Sequence, residues 1–515
     1  SYIGESWNTD LDNQLRNGIL SGKYKNFSKL TGDDARFAGH ALWHYIEKNY
    51  GATSIPNILY LTRINRSVEA GFQFVIGKTM KQLISDFFNF YSNQFSLEKA
   101  GRTDVNSIDI IPIRTRKERK YYQFKPNPDF SKVAYAENEI GKFKVRVYDL
   151  EKKKRNTFLR GGFKSLTLPA DYSFPLIAWD PSGTKLALII EKRGKVFLRV
   201  YDFEEKKNTE RSLPNFQKIL SISFGADAKT IVMSAINKSQ SDIYLYNYLS
   251  GNITQITNDF YDDLDPHYIK LPNRNIVVWS SNRLDDTLRT GALDTLMPVG
   301  QFDLYYYNLK SKSKLLTRVT NTPYANESMP GSYNENFFSY ISDQNGIKNR
   351  YVADIDSFLD HYDHYYFFSD STVVNPKYNI DSLINAGILV ADSIKKIPVY
   401  RDKTHSFPNT NFNKSILEEE NALKAGKTAE LFYSNGKYLF CQSKNEKQID
   451  TLNLSPLINS SYSQQLADKL SLEEKKKLMK PALADSSGKI SDTTKIDINN
   501  YVFQTEFPKK KKEEK

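Results

Sequence analysis

FPLIAWDPSGTKLALIIEKRGKVFLRVYDFEEKKNTERSL, residues 174–213, reads as one complete four-stranded unit. Leu176 to Trp179 is a short apolar run, and Asp180-Pro181-Ser182-Gly183 is a turn, because Asp and Pro favour turn starts and Gly supplies a positive φ. Lys185 to Ile190 is a second apolar run of strand length, and Val196 to Tyr201 alternates as a half-buried strand does. Asp202 then opens a polar turn, and Lys207 to Ser212 is a last, polar strand.

The same order of signals recurs on both sides. One copy precedes it at 122–159, and another follows at 219–257. A fourth holds DPHYIKLPNRNIVVWSSNR (265–283) and FDLYYYNLKSKSKLLTRVT (302–320). A fifth holds SMPGSYNENFFSYISDQNGIKNRYVADID (328–356), and a weaker sixth spans 407–443. The third strand ends on Tyr148, Tyr201, Tyr246 and Tyr307, with Ala353 in the fifth copy, so the marker returns every 45–61 residues. That period suits a four-stranded propeller blade, which covers its two faces only by stacking on its neighbours. The expected fold is mainly β: a six-bladed propeller over 115–445, or a seven-bladed one if residues 364–404 supply further strands. A small helical segment, 1–98, precedes it. A low-complexity, disordered, charged tail, 446–515, follows.

The aromatic-Asp-Pro-x-Gly-x-Lys turn at Trp179–Lys185 and the run Ser280-Ser281-Asn282-Arg283 resemble the TolB-like (WD40-like) repeat. The resemblance covers five copies. It implies a module that holds a protein partner at its rim, in the periplasm or at the outer membrane of a Bacteroidota-type bacterium. The fourth copy carries an insertion, Leu284 to Gln301, with Asp285, Asp286, Arg289 and Asp294. Loops at one end of a rigid scaffold are common binding surfaces, so Asn282, Arg283, Asp285, Asp286 and Arg289 are candidate contacts. Asp263, Asp265 and His267 begin the same copy and are further candidates; a DxDP there can instead brace the turn through side-chain hydrogen bonds to the backbone.

The N-terminal segment has helical period. Residues 33–49 set Phe37, Ala41, Leu42, Tyr45 and Ile46 on one stripe, and helices are also expected at 54–64 and 78–91, with a short one before Gly77. His40 and His44 share a helix face at a spacing that zinc ligands use. Ala41 stands where a zinc peptidase needs its general base, so partly buried structural histidines are the reading favoured over a metal pair. Tyr2-Ile3-Gly4-Glu5-Ser6-Trp7, GDDARFAGHALWHYIEKNYG and DFFNFY resemble the C-terminal part of a peptidase MA-like gluzincin domain. That resemblance implies that HExxH and the third zinc ligand lie upstream of Ser1. No catalytic residue and no cofactor are therefore assigned to this chain, and zinc is expected only in the upstream region.

Ser1 without an initiator Met, and the lysine run Lys509–Lys512, read as cut ends of a longer envelope protein. The resemblance implies a membrane β-barrel after the tail; YVFQTEF, 501–507, is a candidate start or a docking strand. The net charge is +12, but acids are interleaved throughout, and no basic stripe with stacking aromatics marks a nucleic-acid surface. The single cysteine, Cys441, rules out an intrachain disulfide. No apolar run reaches the roughly 18–20 residues that a membrane helix needs. No G-x-S-x-G elbow and no histidine cluster point to hydrolytic chemistry. Three functions follow: a non-catalytic protein-binding scaffold, an accessory part of a zinc metallopeptidase whose propeller gates substrate, and glycan binding by tyrosines at the rim.

Overall fold

The computed structural model describes residues 6–284, 286–288, 300–310, 315–369, 371–376, 380–449 and 457–484. It consists of a compact unit over 1–464 and a second over 465–515. Six antiparallel sheets carry the first unit. The sixth sheet takes its outer strand from upstream of all the others, β1 (Asp109–Ile110). The first sheet comprises β2 (Lys120–Pro126), β3 (Lys132–Glu139), β4 (Lys142–Asp149) and β5 (Lys154–Gly161). The second comprises β6 (Leu176–Trp179), β7 (Lys185–Lys192), β8 (Lys195–Asp202) and β9 (Lys207–Ser212). The third comprises β10 (Lys218–Phe224), β11 (Thr230–Asn237), β12 (Gln240–Asn247) and β13 (Ile253–Gln255). The fourth comprises β14 (Asp263–Leu271), β15 (Arg274–Ser281), β16 (Asp303–Asn308) and β17 (Thr317–Arg318). The fifth has β18 (Glu327–Ser332), β19 (Phe338–Ser342), β20 (Asn349–Phe368) and β21 (Ser371–Val374), with β22 (Ser393–Pro408) paired to β20. The sixth has β23 (Glu418–Ala422), β24 (Lys427–Ser434) and β25 (Lys437–Lys444), with β1 on its edge.

The first strand of each sheet packs on the first strand of the next, and β23 returns to β2, so the described sheets form a closed ring. The ring closes where β1 pairs with β25, Asp109 opposite Gln442 and Ile110 opposite Cys441. Phe124, Tyr121 and Tyr135 of the first sheet pack on Phe440 of the sixth across that joint.

Local chemistry sets the turns. Asp180 accepts from the backbone N–H groups of Gly183 (3.1 Å) and Lys185 (2.6 Å), and Gly183 sits at φ +85°. Asp227 and Asn127 cap the same turn in the third and first sheets. The residue after each marker tyrosine does the equivalent work between the third and fourth strands: Asp149, Asp202, Asn247 and Asn308 each accept a backbone N–H two or three residues on. In the fifth sheet Asp354 makes no such turn. It faces His405 across a continuing ladder, at 3.1 Å. Residues 355–404 therefore leave the fifth sheet as a long arm of β20 and β22, with β21 paired to the far end of β20. They build no seventh sheet among the described residues.

A clamp repeats where the chain leaves one sheet for the next. The Thr257 hydroxyl donates to Asp242 and accepts from the Ile243 N–H; Asp242 also accepts from the Asp259 N–H. Thr320 bridges Asp303 and Leu304 in the same way, with Thr322 N–H on Asp303. Thr410 does so with Asn349 and Arg350, with Phe412 N–H on Asn349. The partners are 15, 17 and 61 residues apart, so the third clamp closes over the inserted arm.

The N-terminal segment is helical: α1 (Thr9–Leu20), α2 (Gly32–Tyr50), α3 (Ser54–Asn65), α4 (Val68–Ile76) and α5 (Met80–Lys99). The expected stripe of α2 is buried, and α5 runs further than expected because Phe95 also joins the core. α1 has no counterpart among the expected helices. Its buried face is held by ion pairs, Arg16 with Asp12 (3.2 Å) and Glu98 (2.6 Å), rather than by an unbroken apolar stripe. Asn13 reaches the Gly346 carbonyl and Lys348 pairs with Asp10, which fixes the helices to the fifth sheet. After the arm's helix α6 (Ile380–Asn385), the last described helix is α7 (Ser461–Ala484); YVFQTEF and the terminal charge run lie outside the described residues.

Replacing Thr320 by Val keeps the shape and leaves Asp303 and the Leu304 N–H short of a partner. The expected loss is about 1–3 kcal/mol in urea or thermal unfolding, with Thr410→Val, at a half-buried position, costing less.

Candidate functional site

The sequence candidates fall into two places. Asp263, Asn282 and Arg283 meet at the seam between the third and fourth sheets. The Arg283 guanidinium spans both oxygens of Asp263 at 2.8 Å and lies 3.3 Å from Asp259. Asp263 also accepts from the Trp279 indole at 2.9 Å, and Asn282 accepts from the Asp262 N–H at 2.8 Å. Arg283 and Asp263 are fully buried. The DxDP segment thus braces the fold, but through a buried ion pair rather than a turn of its own. Asp286 contributes its carbonyl to the Leu316 N–H; Asp285, Arg289 and Asp294 lie outside the described residues.

Asp242, Asp259 and Asp263 bring three buried carboxylates close enough to share a cation. Arg283 occupies that role for Asp259 and Asp263 with a guanidinium. One positive charge cannot balance three negative ones in a site removed from water. Burial accordingly lifts the Asp242 carboxyl to about 7, with Asp263 and Asp259 adding to the lift. Burial lifts Asp259 to about 6 against the pull of Arg283. At the next seam, Glu327 accepts from Thr322 (2.7 Å) and Ser342 (3.0 Å), and burial lifts it to about 8.

Asp265 and His267 lie elsewhere, in the wall of the central channel. Three of the channel strands are bulged with a non-glycine residue in the left-handed region: Gln123 (φ +55°), Asp265 (φ +51°) and Met329 (φ +52°). Such residues need outside support. Here the neighbouring sheet provides it. Gln123 accepts from the Ile177 N–H at 3.0 Å, Asp265 from the Met329 N–H, and Glu418 from the Phe124 N–H at 2.8 Å. Each bond runs from one sheet to the next, so the wall is braced at three of the six seams.

Beyond the bulges, Lys125 and His267 take equivalent places and face the channel mouth at the end of the first-to-second-strand turns. Lys125 pairs with Glu420. Burial pushes His267 toward the neutral imidazole, and Lys125 holds Glu420 below its ordinary range despite burial. The mouth is a cavity of about 360 Å³, lined by Trp179, Phe224, Tyr268 and Leu423, with Lys270 at its edge. Sequence reasoning missed Lys125, Glu418 and Glu420. Aligning the copies on the residue after the bulge, where Lys125 and His267 coincide, was the signal that could have found the first.

His40 and His44 serve packing. The His44 ring stacks on Trp7 at 4.2 Å with an interplanar angle of 2°, and His40 meets the same indole edge-on at 5.6 Å. Burial lowers the His44 pKa to about 4.

No family model and no curated protein matches the chain. Solved structures similar to it include TolB from Acinetobacter baumannii, at 13% identity over 62% of this chain and 66% of that one, with a TM-score of 0.34. The β-propeller domain of the trilobed protease from Pyrococcus furiosus is 9% identical over 66% of this chain and 99% of that one, with a TM-score of 0.35. The tricorn protease is 12% identical over 67% of this chain and 36% of that one, with a TM-score of 0.35. The chain spans just under two thirds of that TolB chain.

Asp242, Asp259 and Glu327 bind protons more tightly folded than unfolded. Their contribution to stability therefore rises as pH falls from about 8 toward 5, and levels off below the ordinary carboxylate range. Urea titrations at pH 8, 7, 6 and 5 read this slope, and Asp242→Asn flattens part of it. Arg283→Met strands the acids and is expected to cost about 3–5 kcal/mol at neutral pH.

Proposed function

We propose that this chain is a protein-binding propeller of a bacterial cell envelope, in the periplasm or at the outer membrane, and that the channel mouth receives an extended segment of its partner. The cavity at that mouth carries the reading. It is about 360 Å³, with Trp179, Phe224 and Tyr268 on its walls and polar side chains that include the Lys125–Glu420 ion pair, His267 and Lys270. Such a mixture suits a peptide, whose side chains fill apolar space while its backbone and charges meet a few fixed partners. The bonds that brace the bulges from sheet to sheet hold the mouth in shape before binding, which lowers the ordering cost of association. Among the described residues, no helix is long and apolar enough to cross a membrane.

This reading moves the contact surface from the insertion after Arg283 to the other end of the ring. The insertion leaves the end of β15, whereas the mouth lies by the turn that begins β15. The helical segment binds the turn between β19 and β20.

Selection from a displayed random-peptide library, followed by calorimetry, tests the proposal. Tyr268→Ala with Lys270→Glu is expected to weaken the selected peptides at least tenfold, and His267→Ala to weaken them less. Peptides that bind the Tyr268→Ala/Lys270→Glu protein as tightly as the original would remove the mouth as the binding site.

A further inference from the structure

The arm of the fifth sheet ends in a cluster of apolar side chains that nothing described in the chain covers. From Ile355 opposite Thr404 to Phe367 opposite Ser393 the two strands run in continuous register, apart from one bulge at Asp360. At roughly 3.3 Å per residue the arm is about 40 Å long. At its far end, α6 and the turn after it place Ile388 at 69% exposure and Val390 at 81%. Val390 is the most exposed large apolar residue among the described residues of the second half of the chain, and Ile388 stands two residues from it at the arm's tip. An exposed apolar tip at the end of an arm inserts into something; it does not receive.

Three observations identify what it inserts into. First, the strands just behind the tip are rich in aromatics. Tyr365 and Phe367 stack at 6.3 Å, and Tyr366 bonds Asp381 through its hydroxyl at 2.9 Å. Tyr362 and Tyr400 are exposed further back. Apolar end, then amphipathic rings, is the order of polarity across a membrane–water interface. Second, Lys395 and Lys396 sit at the level of those rings, Lys395 opposite Tyr365 and over the Phe367 ring at 5.6 Å. Long cationic stems at that depth reach phosphate headgroups while their methylenes lie along apolar surface. Third, the arm opposes pairing with its own kind. β20 carries Asp354, Asp356, Asp360 and Asp363, and β22 carries Lys395, Lys396, Arg401 and Lys403 against Asp402 alone. Symmetric pairing of two arms, edge to matching edge, would set like charge beside like charge.

We infer that the arm tip is a lipid-surface anchor: Ile388, Leu389 and Val390 enter the acyl boundary, the rings behind them lie at headgroup level, and Lys395 and Lys396 meet lipid phosphates. The inference stands apart from the channel mouth. Insertion of so few residues gives weak, reversible attachment, of the kind that needs a second contact to persist.

The test uses the full chain and sedimentation with vesicles of phosphatidylethanolamine and phosphatidylglycerol, 3:1. The chain is expected to co-sediment. Ile388→Asp with Val390→Asp should reduce the bound fraction at least tenfold, and Lys395→Glu with Lys396→Glu several-fold. Leu166→Asp, at an exposed apolar site off the arm, should leave it unchanged. All four tip positions are on the surface or half-exposed, and unchanged circular dichroism confirms that the variants fold. No sedimentation of the unaltered chain overturns the inference, as does equal sedimentation of the Ile388→Asp/Val390→Asp protein. A tip that fits a protein groove instead would show as the unaltered chain failing to bind vesicles while its mass in solution rises. Mouth variants leave vesicle binding untouched, so the two proposals fail separately.

Discussion

A threonine hydroxyl shared between a carboxylate or amide oxygen and a backbone N–H is the contact on which the second half of the ring depends. Strand ladders inside each sheet are local and would form in many arrangements. What turns separate sheets into a ring is the direction in which the chain leaves the fourth strand. Thr257, Thr320 and Thr410 fix that direction three times with the same set of bonds. Thr257 and Thr320 are buried and Thr410 is half-buried, so an unmade bond there would cost more than a made one contributes. That asymmetry makes the geometry hard to vary.

The clamps concentrate acid at the seams, and the molecule balances it differently at each. Arg283 enters the seam between the third and fourth sheets. Between the fourth and fifth, a proton on Glu327 is favoured and Arg318 pairs with Asp303 from outside. Between the fifth and sixth, an asparagine replaces the acid, and Arg350 lies instead between Glu419 and Glu430 of the next sheet. One architecture therefore ends in opposite charge states: in one seam Asp263 and Asp259 hold the Arg283 guanidinium charged against the pull of burial, and in the next burial makes the Glu327 carboxyl hold its proton more tightly. The channel obeys another rule. Its strained bulges are supported from the adjoining sheet, so its shape belongs to the ring rather than to any strand.

Much of the ring was legible in the sequence because its signals are local. Tyr148-Asp149, Tyr201-Asp202, Tyr246-Asn247 and Tyr307-Asn308 mark third strands since the residue after each tyrosine caps the turn that follows. Ala353-Asp354 looked like a weaker copy of the same mark. It is the point where the turn is replaced by an arm, and no local pattern distinguishes the two. The site was less legible for the same reason. Lys125 and Glu420 are almost three hundred residues apart and meet only because the ring closes. Asp263 and Asp265, two residues apart, serve different structures, because a bulge turns one into the seam and the other into the channel. Arg283 read as a surface contact beside a loop. Its neighbours, Asp259 and Asp263, draw it inward.

The latch between β1 and β25 bears on how the chain is made. Asp109 and Ile110 emerge from the ribosome early, and Cys441 and Gln442, which they pair with, emerge after every other sheet has been synthesised. Until then β2 has no β23 beside it, and Phe124, Tyr121 and Tyr135 have no Phe440. At typical elongation rates of about 5–20 residues per second, that apolar face waits for tens of seconds. A nascent chain with an open ring is thus an obligatory stage, and whatever shields the first sheet during that interval becomes part of the protein's path to its fold.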